Sequence, residues 1–586
     1  MRYTLLFLFA LFVVSTYARE ISEKEAKQMA LEFFNNNHPH SSVQDLQMIY
    51  DGENATTRAN NDTNPAFYVF NNPQQKGFVI VSGDDIAKPI LAYSYENEFP
   101  QDNLPVHIQS WLEGIKLQIN DGRSRGVVVA STTTPPTTRA GQIVVKLETA
   151  KWGQDKPFNA KTPRIGFTQT PAGCVITAAA TIMHYHKWPA HGTGIVPEYQ
   201  TETHKLTRPS IQLGHTYDWD GMLSNYSGYY TPQQADMVAQ LMIDLGTMFK
   251  ADYTTSATSA LSEEVAYKLP VYMDYDKSAL TRNRFQYTDE EWHQMMMNEL
   301  NQGRPIFYFG SNWFAGHAFV LDGYDTERFY SVNWGWNGMC DGWYQLDALK
   351  PEGSGTGGNN DHYNLYQGAI TDLKPNEGGD YVELIGFNVR GLSTRATEFV
   401  MGQPFTLTTH EIWNYGGTTF EGPIMFALTD REGTIKEELA TDTIIGLHPG
   451  WGCERFNKEI TIHVPIEYGY RIRLFYKSFG ASEWKLLKSG DNCQWELLVA
   501  DEYSIAESTR VIFDKKERIL TTELMHGVIA ELFDEKGTDL NHLRVTLTNK
   551  CSFLVDDLPA GVYLLRLSND KQSHEVKIKL GAPLNK

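Results

Sequence analysis

Apolar residues recur every three or four positions in several stretches of the chain, the period of a helix with one buried face. SEKEAKQMALEFFNN reads as one such helix, opened by a serine, and VHIQSWLEGIKLQIND as another. Between them, AFYVFNNPQQKGFVIVSGDD has two apolar runs around a Pro- and Gly-containing turn, which predicts a hairpin. Val175, Ala178, Ala179, Ile182, Met183 and His186 share one face of a further helix that starts at Gly173 and Cys174. QADMVAQLMIDLGTMFKADY has the same period and reads as core, with Met237, Met242 and Met248 filling space. The pattern then changes, because AFVLDGY and FYSVNW are short apolar runs separated by a polar turn from Asp325 to Arg328, and they predict two strands. His317 opens the first strand and Asn333 ends the second, a spacing that fits a paired hairpin.

After Pro375 the helical period stops. VELIGFNVRG, PFTLTTHEIWNYGG, GPIMFALTDREG, KEITIHVP, YRIRLFYKS and WKLLKS are short runs divided by Gly, Asn, Asp and Pro. They predict a β-sandwich ending near Ala500, followed by a smaller β unit to Lys586. The expected architecture is therefore multidomain α+β, with an α+β unit first, a mixed central domain next, and β domains last. The length of 586 residues agrees, being too great for one core and enough for about three or four domains.

Charge narrows the partners. Lys and Arg number 51 and Asp and Glu 71, a net charge of −20, which argues against nucleic acid and against an anionic membrane surface. Met1 to Ala18 has Arg2 ahead of a continuous apolar run and ends in Thr-Tyr-Ala, the pattern of a secretory signal peptide, so the mature protein is expected to be exported and soluble. Gly122 to Gly141 is rich in Thr, Ser, Pro and Gly and holds Arg123, Arg125 and Arg139. It reads as an exposed, protease-sensitive linker.

Two stretches carry candidate chemistry. Cys174 falls in the first turn of its helix, where unpaired N–H groups and the positive dipole end favour a thiolate. A free cysteine more often only packs, so position alone does not make it a nucleophile. A thiol nucleophile also needs a base that works near neutral pH, which His317 can supply, and the base needs an orienting partner. Asn333 can accept the hydrogen bond from His317, or Trp334 can pack over its ring and shield it; the sequence leaves both open. His184 and His186 are two apart on a helix and face different directions, so they do not make a zinc pair.

The Cys174 helix, GHAFVLDGYD, and VNWGWNG-x-x-DG-x-Y-x-L-DAL together resemble the streptopain-type cysteine peptidases of papain fold, the group that includes interpain. The resemblance runs from about Lys151 to Pro375 and takes in KWGQDKPFN, YDWDGML and DYTTSATSALS. It implies a papain-like domain over 141–375 with Cys174 as nucleophile, His317 as base, and Gln154 donating to the oxyanion beside the Cys174 N–H. It further implies Ser259, Gly316 and Trp336 as substrate contacts, with Asn333 and Trp334 beside the histidine. Residues 19–140 resemble the propeptide and linker of that group, which block the cleft until removed. Pro351 to Ile370 is glycine-rich and matches a loop bordering the cleft, but departs from it by holding Asp361 and His362. The last unit, 501–586, resembles the C-terminal sorting domains of exported Bacteroidetes proteins and implies the export machinery as a partner.

No metal or organic cofactor is implied, and the expected partners are protein and peptide substrates and the chain's own propeptide. Of the five cysteines, Cys453 and Cys493 share the sandwich and are candidates for a bridge, while Cys340 and Cys551 stand alone. Two other classes stay open: an acyltransferase using the same residues, and a non-catalytic adhesin binding through its β domains.

Overall fold

The computed structural model describes residues 19–37, 43–50, 65–101, 104–124, 140–311, 316–346, 367–388, 390–453, 456–487, 489, 493–500, 511–514, 518–523, 528–547, 550–555, 558–568 and 573–580. The expected signal peptide, residues 125–139 of the expected linker, and the segment with Asp361 and His362 lie outside the described residues; the start of that linker is instead helix, because residues 122–124 end the helix Val106–Ser124 and Arg123 is held by Asp84 at 2.8 Å.

The first unit is a sheet between two helices. Helix α1 (Glu23–Asn37) begins with a reciprocal cap: the Ser22 hydroxyl accepts the Glu25 N–H at 3.3 Å and the Glu25 carboxylate accepts the Ser22 N–H at 2.9 Å. Strands β1 (Gln47–Tyr50), β2 (Phe67–Asn71), β3 (Phe78–Ser82) and β4 (Ile90–Ser94) pair antiparallel in sequence order. Alternation along β2 sorts the core: Tyr68 and Phe70 join Phe33 and Phe34 of α1, whereas Phe67 and Val69 join Trp111, Leu112 and Ile115 of α2 (Val106–Ser124).

The central region adds strands β5 (Ile143–Lys146), β6 (Leu280–Asn283), β7 (Ile306–Ser311), β8 (Gly316–Asp325), β9 (Tyr330–Asn333), β10 (Gly342–Tyr344) and β11 (Gly368–Thr371). Helices α3 (Cys174–His186), α4 (Pro232–Met248) and α5 (Glu264–Tyr272) share a core with Phe307 and Phe309 of β7 and Ala318 and Val320 of β8. Helix α6 (Asp289–Asn301) packs Trp292, Met296 and Leu300 with Ile306, Tyr308, Phe319 and Leu321, the alternate residues of the same two strands.

The two regions form one sheet of eleven strands in the order β1-β2-β3-β4-β10-β9-β8-β7-β11-β6, with β5 also paired to β8. The junction is β4 against β10, with Tyr93 opposite Trp343 and Ala92 opposite Tyr344. The Gln345 N–H extends the ladder to the Leu91 carbonyl at 2.9 Å. Around it, the Asn97 amide donates to the Asp341 carbonyl at 2.8 Å, Lys151 faces Glu96 at 3.6 Å, and Trp111 meets Tyr344 edge to face at 4.9 Å. Backbone approach here is close: a Cβ on Gly342 would lie 2.6 Å from the Tyr93 carbonyl oxygen. The first unit thus covers an edge of the central sheet that would otherwise present unpaired backbone groups.

Beyond residue 380 the regular structure of the described chain is almost all strand. Phe420–Thr429 lies between Ile435–Leu447 and Arg471–Tyr476 and buries Ile424, Phe426 and Leu428 with Ile472 and Leu474. Two three-stranded sheets complete this unit. The last unit has one four-stranded and one three-stranded sheet, the latter with Gly561–Ser568 between Ile529–Asp534 and Ser573–Leu580. All five cysteines, Cys453 and Cys493 included, are free thiols.

Candidate active site

Helix α3 starts where the chain makes a turn that only glycine fits. Gly173 has φ of 101°, and a Cβ there would come within 2.9 Å of the Thr258 carbonyl oxygen. The helix ends at Lys187 in the left-handed region, φ 49°. Cys174, its first residue, is half-buried. Its sulfur is met by the backbone N–H groups of Ala318 on β8, of Val175, and of Cys174 itself, all of which favour the thiolate. Burial outweighs them and pushes the thiol above its ordinary range, the opposite of what a helix N-terminus alone predicts. Desolvating the charge costs more here than the helix dipole and the N–H groups return.

Gln154 is buried beside this turn. Its backbone carbonyl accepts the Ala172 N–H at 2.8 Å, and the Gly153 carbonyl accepts the Thr177 hydroxyl of α3 at 3.4 Å. The Gly153–Gln154 peptide therefore runs alongside the start of α3. His317, next to Ala318, is buried near the start of β8 opposite Gly310 of β7. Its ring stacks on Trp334 (centroids 5.9 Å apart, planes at 18°) and on Phe319 (5.7 Å, 26°).

Asn333 and Trp334 differ in what they touch. The Asn333 amide donates to the Thr149 hydroxyl at 3.0 Å and the Ala150 carbonyl at 2.9 Å, and its oxygen accepts the Gly335 N–H at 3.1 Å. Trp334 supplies the ring against His317, and its backbone N–H donates to Asp341 Oδ1 at 2.9 Å. Trp336 is half-buried in the same loop. Ser259 is exposed on a two-residue strand, and the neighbouring Thr258 hydroxyl donates to the Pro171 carbonyl at 2.7 Å, tying that strand to the loop before Cys174. Gly316 is exposed and opens β8.

The two helix histidines go to separate partners, His184 Nε2 to the Met222 carbonyl at 3.3 Å and His186 Nδ1 to the Tyr275 hydroxyl at 3.2 Å. Burial lowers both from the ordinary histidine value, His186 to about 4. Among the described residues no group of His, Cys, Asp and Glu could hold a metal ion.

Sequence reasoning missed three contributors: the Ala318 N–H, Thr258, and Asp341. Asp341 had a visible signal, an acid inside a run of Gly, Asn and Trp where a tight loop needs side-chain acceptors. Burial, with the Asp322 charge, raises its carboxyl to about 7, against the Trp334 N–H, Lys151 and Lys146, which lower it.

A papain-type arrangement of this kind, a cysteine at a helix start facing a strand that carries a histidine, defines a cysteine peptidase, and comparison with known proteins agrees. Residues 152–344 match the model of the Peptidase C10 family, and residues 18–119 match that of the Spi protease inhibitor. Streptopain of Streptococcus pyogenes is 33% identical over 393 residues, covering 62% of this chain and 94% of streptopain. The thiol protease/hemagglutinin PrtT of Porphyromonas gingivalis is 27% identical over 486 residues, 80% of this chain but 55% of PrtT, so the chain spans about half the length of that relative. Among solved structures, the prointerpain A fragment of Prevotella intermedia is 30% identical, with 56% of this chain and 99% of that one covered at a TM-score of 0.46. The chain belongs to the peptidase C10 family of cysteine-type endopeptidases, with an inhibitor-like domain ahead of the catalytic one.

Proposed function

We propose that the chain is an exported endopeptidase made as a latent precursor, with a signal peptide at 1–18, an inhibitory unit and linker at 19–140, and a catalytic domain at 141–375. A sandwich at 376–500 and an export unit at 501–586 follow. In the activated form the Cys174 thiolate attacks a peptide carbonyl carbon while His317 holds the thiol's proton as an imidazolium. The oxyanion accepts hydrogen bonds from the Gln154 side-chain amide and the Cys174 N–H. His317 then protonates the leaving amine, and a water deprotonated by His317 cleaves the thioester and restores the thiol. Ser259, Gly316 and Trp336 line the substrate path, and no bound cofactor takes part.

One observation carries this reading: the Cys174 sulfur lies at the start of α3 against the N–H of Ala318, the residue that follows His317. The latency half is supported by the shared sheet, in which the N-terminal unit is joined to the catalytic region through β4 and β10. A casein digest with the activated chain and with Cys174→Ala tests it. Peptides that appear with the first and not the second support peptide-bond hydrolysis at Cys174. Digestion by both contradicts the role of Cys174, and digestion by neither contradicts peptide-bond hydrolysis and leaves the acyltransferase and adhesin classes.

A further inference from the structure

Trp334 follows directly on the last residue of β9, and the chain then doubles back through a loop with Gly335, Asn337, Gly338 and Cys340 all at positive φ (72°, 56°, 85° and 62°). A loop so irregular has no ladder to fix its first peptide. Asp341 does so instead: its Oδ1 accepts the Trp334 N–H at 2.9 Å and closes the loop at its base. The Trp334 indole, only 1% exposed, stacks on His317 at 5.9 Å and meets Tyr344 edge to face at 5.1 Å. A shift of the Trp334 peptide therefore moves the wall against which the imidazole rests.

We propose that Asp341 is a positioning residue for the reaction: its carboxylate locks the Trp334 peptide and, through the indole, holds the His317 ring in place. The inference rests on the reading of His317 as the base. Nothing in it requires Asp341 to touch substrate. An ionised carboxylate accepts about twice as strongly as a neutral group, and the protonated acid still accepts weakly through its carbonyl oxygen, so the lock tightens as the carboxyl ionises. The charged and titratable groups around it are Asp322 of β8, Lys146 of β5, Lys151, the neighbouring Cys340 and Tyr344 of β10. Lys151 is shared with Glu96 of the N-terminal unit at 3.6 Å, and Asn97 of that unit donates to the Asp341 carbonyl at 2.8 Å.

The test uses the activated full chain with Asp341→Ala, Asp341→Asn and His317→Ala. The alanine variant, lacking any acceptor, is expected to lose roughly tenfold in kcat with KM held within about twofold. The asparagine variant keeps an acceptor without a charge and is expected to recover most of that loss. The ratio of wild-type to Asp341→Asn kcat should rise with pH, from about one at acid pH to roughly threefold on the alkaline side, as only the wild type gains the charge. A kcat for Asp341→Ala within about twofold of wild type, a loss confined to KM, or a wild-type to asparagine ratio flat with pH would overturn the proposal. If Asp341→Ala does not fold, the pH series with Asp341→Asn decides alone. An active His317→Ala would instead sink the reading beneath it, whereas an inactive His317→Ala beside a flat ratio sinks the role of Asp341 only.

Discussion

Replacing Gly342 with alanine should shorten the latency of the full-length chain and leave the mature enzyme intact. The Cβ would lie 2.6 Å from the Tyr93 carbonyl oxygen, 3.1 Å from Ser94 Cβ and 3.3 Å from Phe78 Cζ. All three atoms belong to the N-terminal unit, and the closest is backbone in a paired strand, which cannot swing aside as a side-chain tip can. Over-packing of this sort costs about 1–3 kcal/mol, a term that falls on the docked state alone. At about 1.4 kcal/mol per factor of ten, the undocked fraction rises roughly 5- to 150-fold. The tether keeps the unit at high effective concentration, so the protein should remain latent at first but mature sooner. Alanine is otherwise acceptable in a strand, and once the unit has been digested these three neighbours are gone. The assay adds a trace of active enzyme to full-length wild type and Gly342→Ala and follows casein hydrolysis with time. A shorter lag and a final kcat/KM within about twofold of wild type are expected. An unchanged lag would refute the reasoning, as would a final activity that falls along with the lag.

His317→Ala should fold normally and lose at least about a thousandfold in kcat, measured on a fluorogenic peptide, because the nucleophile loses its base. Gln154→Ala should lower kcat roughly a hundredfold with KM near normal, since an oxyanion bond forms mainly in the transition state; a loss in KM alone would make it a binding residue. Burial raises the Cys174 thiol in the full-length chain, so the thiolate fraction is small at neutral pH and grows only as pH passes the ordinary thiol range. Alkylation of Cys174 in the uncut protein should therefore be slow at neutral pH and accelerate in alkali, and an alkylation rate that is already maximal at neutral pH would contradict this.

How much of this was legible in the sequence depends on how local the signal is. The faces of α1, α3 and α4 follow from apolar residues one turn apart, and Gly173 followed by Cys174 marked the start of α3 because a turn into a helix needs a residue free to take φ of 101°. The β8–β9 hairpin was readable too, since its turn lies between two adjacent apolar runs. The β4–β10 junction was not: Tyr93 and Trp343 pair from opposite ends of the first two regions, and neither strand's pattern names its partner. The choice between Asn333 and Trp334 was open for a similar reason. Either can serve a histidine, and only the placement of Thr149 and Ala150 beside the Asn333 amide shows where its hydrogen bonds go. The thiol's direction of shift failed because helix position is local while burial comes from the rest of the fold.

Mapping a thiol-reactive epoxide on the protein before and after cleavage in the linker that follows α2 tests directly whether this is a latent endopeptidase with Cys174 as its nucleophile. The cut protein should take up one label, on Cys174, in step with the loss of casein hydrolysis, and the uncut protein should take up little. Loss of activity with the label on Cys340, Cys453, Cys493 or Cys551, or full activity with Cys174 completely labelled, would contradict it.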